Sequence, residues 1–333
     1  MKIGFFEIKE KEAKFLRPQL LDHESDFHLS FIDKDHLPEK RNYEIISVFT
    51  GSIIDKTVME SFPNLKLIDT RTTGYDHIDL KTAKEKNILV SNVPFYGANT
   101  VAEFAFGLLL TLSRKIFLAY DRIKETGSFD LEGLQGFDLM GKTIGIVGTG
   151  RIGRHMIKIA KGFEMNVVAY DTRPDEKLAQ EFGFRYLDFE ELLKNSDVIS
   201  IHIPYLPSTH YLINRKNIYL IKKGCILINT SRGAIVETEA IVRALHEGIL
   251  AGAGLDVLEE EGPVKNVRQF LLYGRPEEHN LKTILQNNIL VDMDNAIITP
   301  HMAFNSKEAL HRILNTTVQN IKSLVEGKPQ NLV

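Results

Sequence analysis

Three side chains in the second half of the chain follow apolar, β-rich runs and could act together on a carbonyl. Arg232 comes just after Ile226-Leu227-Ile228-Asn229, Glu261 ends the acidic stretch that follows Ala251 to Val257, and His301 follows Ile297-Ile298-Thr299-Pro300. A planar guanidinium binds carboxylate oxygens in pairs and stabilises negative charge growing on an oxygen. An imidazole exchanges protons near neutral pH. Reducing a 2-oxo acid needs these things: a grip on the carboxylate, a proton for the ketone oxygen as hydride arrives at carbon, and stabilisation of the growing oxyanion. Taken singly, each residue has a plainer reading. Arg232 could be a surface arginine, Glu259-Glu260-Glu261 a solvated acidic loop, and His301 one rigid loop residue among eleven histidines.

A hydride needs a carrier, and the sequence offers a place for one. Thr143 to Val147 reads as a strand, Gly148-Thr149-Gly150-Arg151-Ile152-Gly153 follows at once, and a helical pattern runs from Arg154 to Phe163. The next strand, Asn166 to Asp171, ends in an acid 23 residues after the first glycine. A lone GxGxxG carries little information; between a strand and a helix, with that acid, it reads as a dinucleotide fingerprint. Gly148 permits the tight turn, Gly150 lets the backbone approach a pyrophosphate, and Gly153 lets helix and strand pack closely. The amides of Arg151 and Ile152 open the helix, where an anion is favoured. Asp171 suits ribose hydroxyls and repels a 2′-phosphate, which predicts NAD rather than NADP, although nearby Arg173 works against that preference. His202, after Ile199-Ser200-Ile201, and His77 are rivals to His301; His202 reads as lining the cofactor cleft. No HExxH or comparable spacing points to a metal.

In an open α/β sheet such residues belong at the carboxyl ends of strands. Apolar runs at 2–8, 44–49, 65–70 and 88–91 alternate with helix-like segments. The second half repeats the scheme at 143–148, 166–171, 197–203, 225–229, 250–256 and 295–299. Near-continuous Val/Ile/Leu runs alternating with helices predict parallel sheets covered on both faces. A long helix is predicted from about 99 to 126, opened by a capping box at Thr100-Val101-Ala102-Glu103 and stopped at Gly127. A second is predicted from about 306 to 326, packing back on the first domain, and shorter ones near 266–273 and 280–287. With 333 residues, two domains are expected. A net charge of −3 gives no reason to expect nucleic acid or an anionic membrane as partner. Glu103, Arg114 and Lys115 interrupt the most apolar stretch, 101–120, so it reads as a core helix rather than a membrane span. One cysteine, Cys225, cannot form an internal disulfide or a cysteine-based zinc site. A soluble, cytoplasmic chain is the expectation.

Along essentially its full length the chain resembles the D-isomer-specific 2-hydroxyacid dehydrogenases. The resemblance rests on Thr73-Gly74-Tyr75-Asp76-His77-Ile78-Asp79, Asn92-Val93-Pro94, Val101-Ala102-Glu103, the glycine fingerprint with Asp171, Asp197 to Pro204, Asn229 to Ala234, Gly254-Leu255-Asp256-Val257 and Thr299-Pro300-His301. It implies that Arg232 anchors the substrate carboxylate and carbonyl, that His301 donates the proton in reduction, and that Glu261 is hydrogen-bonded to it. A neighbouring carboxylate favours the imidazolium form. The related formate dehydrogenases carry glutamine where Glu261 stands, so the site looks built for 2-hydroxy acids. The resemblance implies cofactor contacts at His202, Ile203, Pro204, Thr230 and Ser231, a supporting place near the nicotinamide for Asp256, and backbone contacts to the substrate carboxylate at Thr73 and Gly74. It also implies two Rossmann-like or flavodoxin-like domains with an interdomain cleft: residues 1–98 with 301–333 for the substrate, and 99–300 for NAD. Members are usually homodimers through the cofactor domain.

Within the family, Tyr96 and Phe304 match positions where D-lactate dehydrogenases carry aromatic residues lining a small pocket. The long segment between Glu261 and His301 resembles the same subgroup. The expectation is pyruvate reduction to D-lactate, with glyoxylate, hydroxypyruvate or a branched 2-oxo acid as alternatives. A methylene is worth only about 1–3 kcal/mol of discrimination. Ordinary hinge packing is the plain reading of those two aromatics. A different class shares this fold, the NAD-sensing corepressors. The full Arg232, Glu261 and His301 set and the low net charge count against it.

Overall fold

A computed structural model describes residues 1–261 and 280–333. The chain divides into two compact units, 1–97 with 305–333, and 98–304. In chain order the first unit opens with β1 (Lys2–Phe5), α1 (Glu10–Leu16), β2 (Glu24–Phe27), β3 (Ile45–Val48), α2 (Lys56–Glu60), β4 (Leu67–Thr70), α3 (Leu80–Glu85) and β5 (Leu89–Ser91). The second holds α4 (Ala98–Ser113), α5 (Ile116–Thr126), β6 (Thr143–Val147), α6 (Arg151–Gly162), β7 (Asn166–Tyr170), α7 (Glu176–Phe182) and β8 (Arg185–Tyr186). It continues through α8 (Phe189–Asn195), β9 (Val198–Ile201), β10 (Cys225–Asn229), α9 (Thr238–His246), β11 (Leu250–Leu255), α10 (Leu281–Asp292) and β12 (Ala296–Ile298). Helix α11 (Lys307–Val325) returns to the first unit.

The first unit is a parallel five-stranded sheet of order β2-β1-β3-β4-β5, the flavodoxin-like arrangement. Its faces carry different partners. Ile46, Val48 and Ile68 pack with Val58, Met59 and Ala83 from α2 and α3. Ile3, Phe5 and Leu67 pack with Leu16 of α1 and with Leu314, Val318 and Ile321 of α11. Each such buried aliphatic side chain contributes about 1.5–3 kcal/mol, which fixes α11 on this sheet.

The second unit is a parallel seven-stranded sheet, β12-β11-β10-β9-β6-β7-β8, the doubly wound Rossmann order with an added edge strand. Strand β10 shows why its sequence reads as one apolar run: all five residues are buried. Ile226 and Ile228 face the side held by α4 and α6, while Cys225 and Leu227 face the side held by α8, α9 and α10. The strand order reverses between β6 and β9, the point where open α/β sheets bind ligands.

Several expectations need correction. The long helix predicted over 99–126 is two, α4 and α5, separated at Lys115, whose φ is 52°. The reason is local: the Ser113 carbonyl accepts from Phe137 N at 2.9 Å, where a continuous helix would have used it internally. Helix α4 starts at Ala98, so the capping box at Thr100 does not form, and Glu103 accepts from Asn99 Nδ2 at 3.1 Å instead. Residues 301–304 stay with the second unit, although the sequence placed the crossing at 301. Asp256 holds them there, accepting from the amides of Met302 and Ala303 at 2.9 and 2.8 Å. Strand β2, Glu-Ser-Asp-Phe, was not anticipated; it is a polar edge strand. The helix expected near 280–287 is α10, capped by Asn280, and the one expected at 266–273 lies outside the described residues.

Candidate active site

The glycine turn lies at the switch point. Gly148 follows β6 with φ 95°, and a Cβ there would stand 2.6 Å from the His202 carbonyl oxygen at the end of β9. A Cβ at Gly153 would overlap the Gly148 carbonyl, so helix α6 can approach the strand only with glycine. Gly150 faces open space, with nothing within 4 Å of its missing Cβ, and as the residue preceding α6 it places no side chain over the first turn. The amides of Arg151 and Ile152 open that turn and favour an anion. Asp171, after β7, is already oriented: Oδ2 accepts from Thr149 N and Oγ1 at 2.8 and 3.0 Å, and Oδ1 from Arg173 N at 2.9 Å. Burial raises its pKa, but the bonds from Arg173 and Thr149 outweigh that and hold the carboxyl below the usual range. It is a fixed anion suited to hydroxyl donors. His202 Nδ1 and Thr230 Oγ1, at the ends of β9 and β10, are buried without a hydrogen-bond partner. Open glycine cradle, helix start, fixed acid and two orphaned polar atoms fit a dinucleotide. Ile203 and Pro204 continue from His202, half-buried and exposed, and Ser231 Oγ ties the end of β10 to the Ile201 carbonyl at 2.8 Å.

The catalytic candidates stand at the carboxyl ends of three adjacent strands, β10, β11 and β12. Strands pack about 4.8 Å apart, so the outer two are separated by about 10 Å, within reach of long side chains. Arg232 follows β10 in a turn built by Asn229, whose Oδ1 accepts from Ser231 N at 3.0 Å and whose Nδ2 donates to the Arg232 carbonyl at 2.9 Å. The half-buried Arg232 guanidinium donates from Nη1 to the Ser231 carbonyl at 2.9 Å. The backbone of the next residue, Gly233, presses on Leu258 and Glu259, so the loops bearing Arg232 and Glu261 touch. His301 follows β12 with φ 53°, a left-handed conformation that costs a non-glycine residue about 1–2 kcal/mol. Asp256, buried at the end of β11, offsets this by accepting from Thr299 Oγ1 at 2.6 Å and from the two following amides. Burial lifts Asp256 above the usual carboxylate range, against the lowering effect of those bonds. Glu261 Oε2 meets His301 Nδ1 at 3.0 Å, with both side chains about a quarter exposed. Residues 40 apart in sequence thus form one pair.

Thr73, Gly74 and Tyr96 belong to the first unit. Thr73 and Gly74 follow β4 and are held by the loop after β5: the Thr73 carbonyl accepts from Asn92 Nδ2 at 2.8 Å, and Thr73 Oγ1 donates to the Val93 carbonyl at 2.9 Å. Tyr96 is half-buried, its carbonyl accepting from Arg312 Nε of α11 at 2.5 Å. Phe304 is half-buried and ends the second unit.

The rival histidines are occupied elsewhere. His77 Nε2 bonds Thr70 Oγ1 at 3.1 Å in the first unit. His202 Nε2 bonds Ser200 Oγ at 2.8 Å, and burial drives its pKa down to about 3, so near neutrality the ring is not an imidazolium. Sequence reasoning missed three supporting groups. Asn229 could have been found, because an asparagine closing a strand before a turn bonds its own backbone. Thr149 and Tyr186 could not. Tyr186 Oη lies 2.9 Å from Thr149 Oγ1 and accepts from Asp175 N, bracing the Asp171 carboxylate from a distant strand.

A family model described as the NAD-binding domain of the D-isomer-specific 2-hydroxyacid dehydrogenases matches residues 106–303. The D-lactate dehydrogenase of Escherichia coli K12 is 35% identical, with 100% of both chains covered. A glyoxylate reductase of Thermococcus litoralis is 37% identical over 89% of this chain and 85% of its own. Among solved structures, Aquifex aeolicus D-lactate dehydrogenase complexed with NAD and lactic acid superposes with a TM-score of 0.87 at 37% identity, covering 98% of this chain and 96% of that one.

Proposed function

The chain belongs to the D-isomer-specific 2-hydroxyacid dehydrogenases, NAD-dependent oxidoreductases acting on a CH–OH group, and on that premise we propose that it interconverts pyruvate and D-lactate. The observation that carries the chemistry is the 3.0 Å contact between Glu261 Oε2 and His301 Nδ1. It occupies one ring nitrogen and leaves Nε2 for the substrate.

Gly148, Gly150, Arg151, Ile152 and Gly153 would hold the dinucleotide pyrophosphate and Asp171 its ribose, with His202, Ile203, Pro204, Thr230, Ser231 and Asp256 toward the nicotinamide. Bound NADH supplies the hydride. Arg232 binds the carboxylate and carbonyl oxygens through its fork, and its charge stabilises the developing alkoxide. His301 transfers its Nε2 proton to that oxygen, and Glu261 stabilises the imidazolium beforehand. In D-lactate oxidation the neutral imidazole takes the proton back. Thr73 and Gly74 are assigned to the substrate carboxylate through their backbone, and Tyr96 and Phe304 to the substrate side chain. Arg232 and His301 serve cofactor and substrate together.

Pyruvate is favoured by the D-lactate dehydrogenase relative that matches both chains end to end and by the aromatic residues at positions 96 and 304. The glyoxylate-reducing relative supports glyoxylate as the second reading. Steady-state assays of pyruvate, glyoxylate, hydroxypyruvate and a branched 2-oxo acid, each with NADH and NADPH, test this. Pyruvate with NADH is expected to give the highest kcat/KM, by about tenfold over the branched acid, in line with about 1–3 kcal/mol per methylene. Pyruvate turnover well below that of a bulkier acid would remove the lactate assignment.

We further read the chain as a homodimer through its second unit. The reading rests on the family resemblance, and Tyr120, Phe129, Leu131 and Met140 of that unit are exposed. A monomeric mass in solution would overturn this. No helix among the described residues is long and apolar enough to cross a membrane. The lone buried Cys225 accords with a cytoplasmic setting, a reading that recovery of the activity only in a secreted fraction would contradict.

A further inference from the structure

We propose that Glu259 is a positioning residue for the Glu261–His301 pair, clamping the turn that carries Glu261 so that its carboxylate faces the imidazole. The inference rests on the reading of Glu261 and His301 as catalytic.

The turn that bears Glu261 is strained and is also tied outside itself, Glu260 Oε1 accepting from Asn280 N at 3.2 Å. Glu260 has φ 52°, a left-handed conformation in a residue with a side chain. Glu261 then folds back so that Oε1 accepts from Leu258 N at 3.1 Å while Oε2 meets His301. One residue inside that turn is anchored at every polar atom of its side chain. Glu259 Oε1 accepts from Tyr211 Oη at 2.7 Å. Its Oε2 accepts from Thr238 N at 2.9 Å, at the first residue of α9, and from Thr238 Oγ1. Its carbonyl accepts from Asn287 Nδ2 of α10 at 2.6 Å. The anchors are thus α9, α10 and the segment at Tyr211, well separated in sequence from both members of the pair. A carboxylate on the opening amide of a nine-residue helix is also favoured by the helix dipole. Glu259 makes no bond to His301 among those described, so its effect on chemistry must pass through Glu261.

That route makes the proposal separable from simple stabilisation. A residue acting through Glu261 loses its effect once Glu261 is gone; a residue that only holds the fold does not. Glu259→Ala is expected to lower kcat for 2-oxo-acid reduction about tenfold, with NADH affinity within twofold of wild type. In a Glu261→Gln background the same substitution is expected to cost less than twofold. Glu259→Gln, which keeps an acceptor for Thr238, is expected to remain within threefold of wild type. If Glu259→Ala does not fold, Tyr211→Phe removes one anchor: about threefold loss of kcat is expected in the parent and none with Glu261→Gln. Equal losses in both backgrounds, or a Glu259→Ala kcat within twofold of wild type, would overturn the proposal. Were Glu261→Gln itself to keep wild-type kcat, the catalytic pair would fall first, and this inference with it.

Discussion

His301→Ala is expected to lower kcat for pyruvate reduction by about 10²–10⁴-fold, the range of a positioned general acid. The protein should stay folded, because Asp256 bonds the amides of Met302 and Ala303 and the side chain of Thr299, and the alanine side chain alters none of these. Neither His202, held neutral by burial, nor His77, bonded to Thr70, is expected to take over the role of His301. Stopped-flow oxidation of NADH at saturating pyruvate, with circular dichroism as the folding control, reads the effect. Turnover within severalfold of wild type would remove His301 as proton donor.

Arg232→Gln is expected to lower kcat/KM by about 10³-fold or more. Two contributions combine. Hydrogen bonds to a charged partner are worth about 1.5–3 kcal/mol each, and loss of one oxyanion donor costs about 10²–10³-fold in kcat. Arg232→Lys separates them: it keeps the charge but not the planar fork, so KM should rise more than kcat falls. The carboxylate-bearing analogue oxamate should lose affinity in parallel with KM. The turn itself should survive, since Asn229 bonds the backbone of Ser231 and Arg232 rather than the guanidinium. Unchanged KM and oxamate affinity in Arg232→Gln would refute the anchoring role.

The central strands were legible because burial on both faces leaves a continuous apolar run, as in Cys225 to Asn229. Strand β2 was not, because an edge strand of Glu, Ser, Asp and Phe carries no such signal. The break at Lys115 was not legible because charged Arg114 and Lys115 suit a helix as well as a turn; the interruption comes from Phe137, a residue outside the helix. The dinucleotide cradle could be read locally, since strand, glycines, helix and acid lie within one βαβ unit. The Glu261–His301 pair could not. Nothing in the spacing joins them, only family resemblance did, and folding brings them together through β11 and β12 pairing in parallel register. Glu259 was read as one solvated acid in a run of three, because its four anchoring bonds come from three remote segments.

The most direct test of the account is a double-mutant cycle on Glu261 and His301, whose Oε2 and Nδ1 lie 3.0 Å apart, read as kcat for pyruvate reduction and for D-lactate oxidation. A carboxylate that acts only through the imidazole loses its effect once the imidazole is gone. Glu261→Gln is expected to lower kcat about tenfold or more in both directions in the parent enzyme and less than twofold in a His301→Ala background. Equal losses in the two backgrounds, or a Glu261→Gln kcat within twofold of wild type, would contradict the claim that this carboxylate–imidazole pair moves the proton.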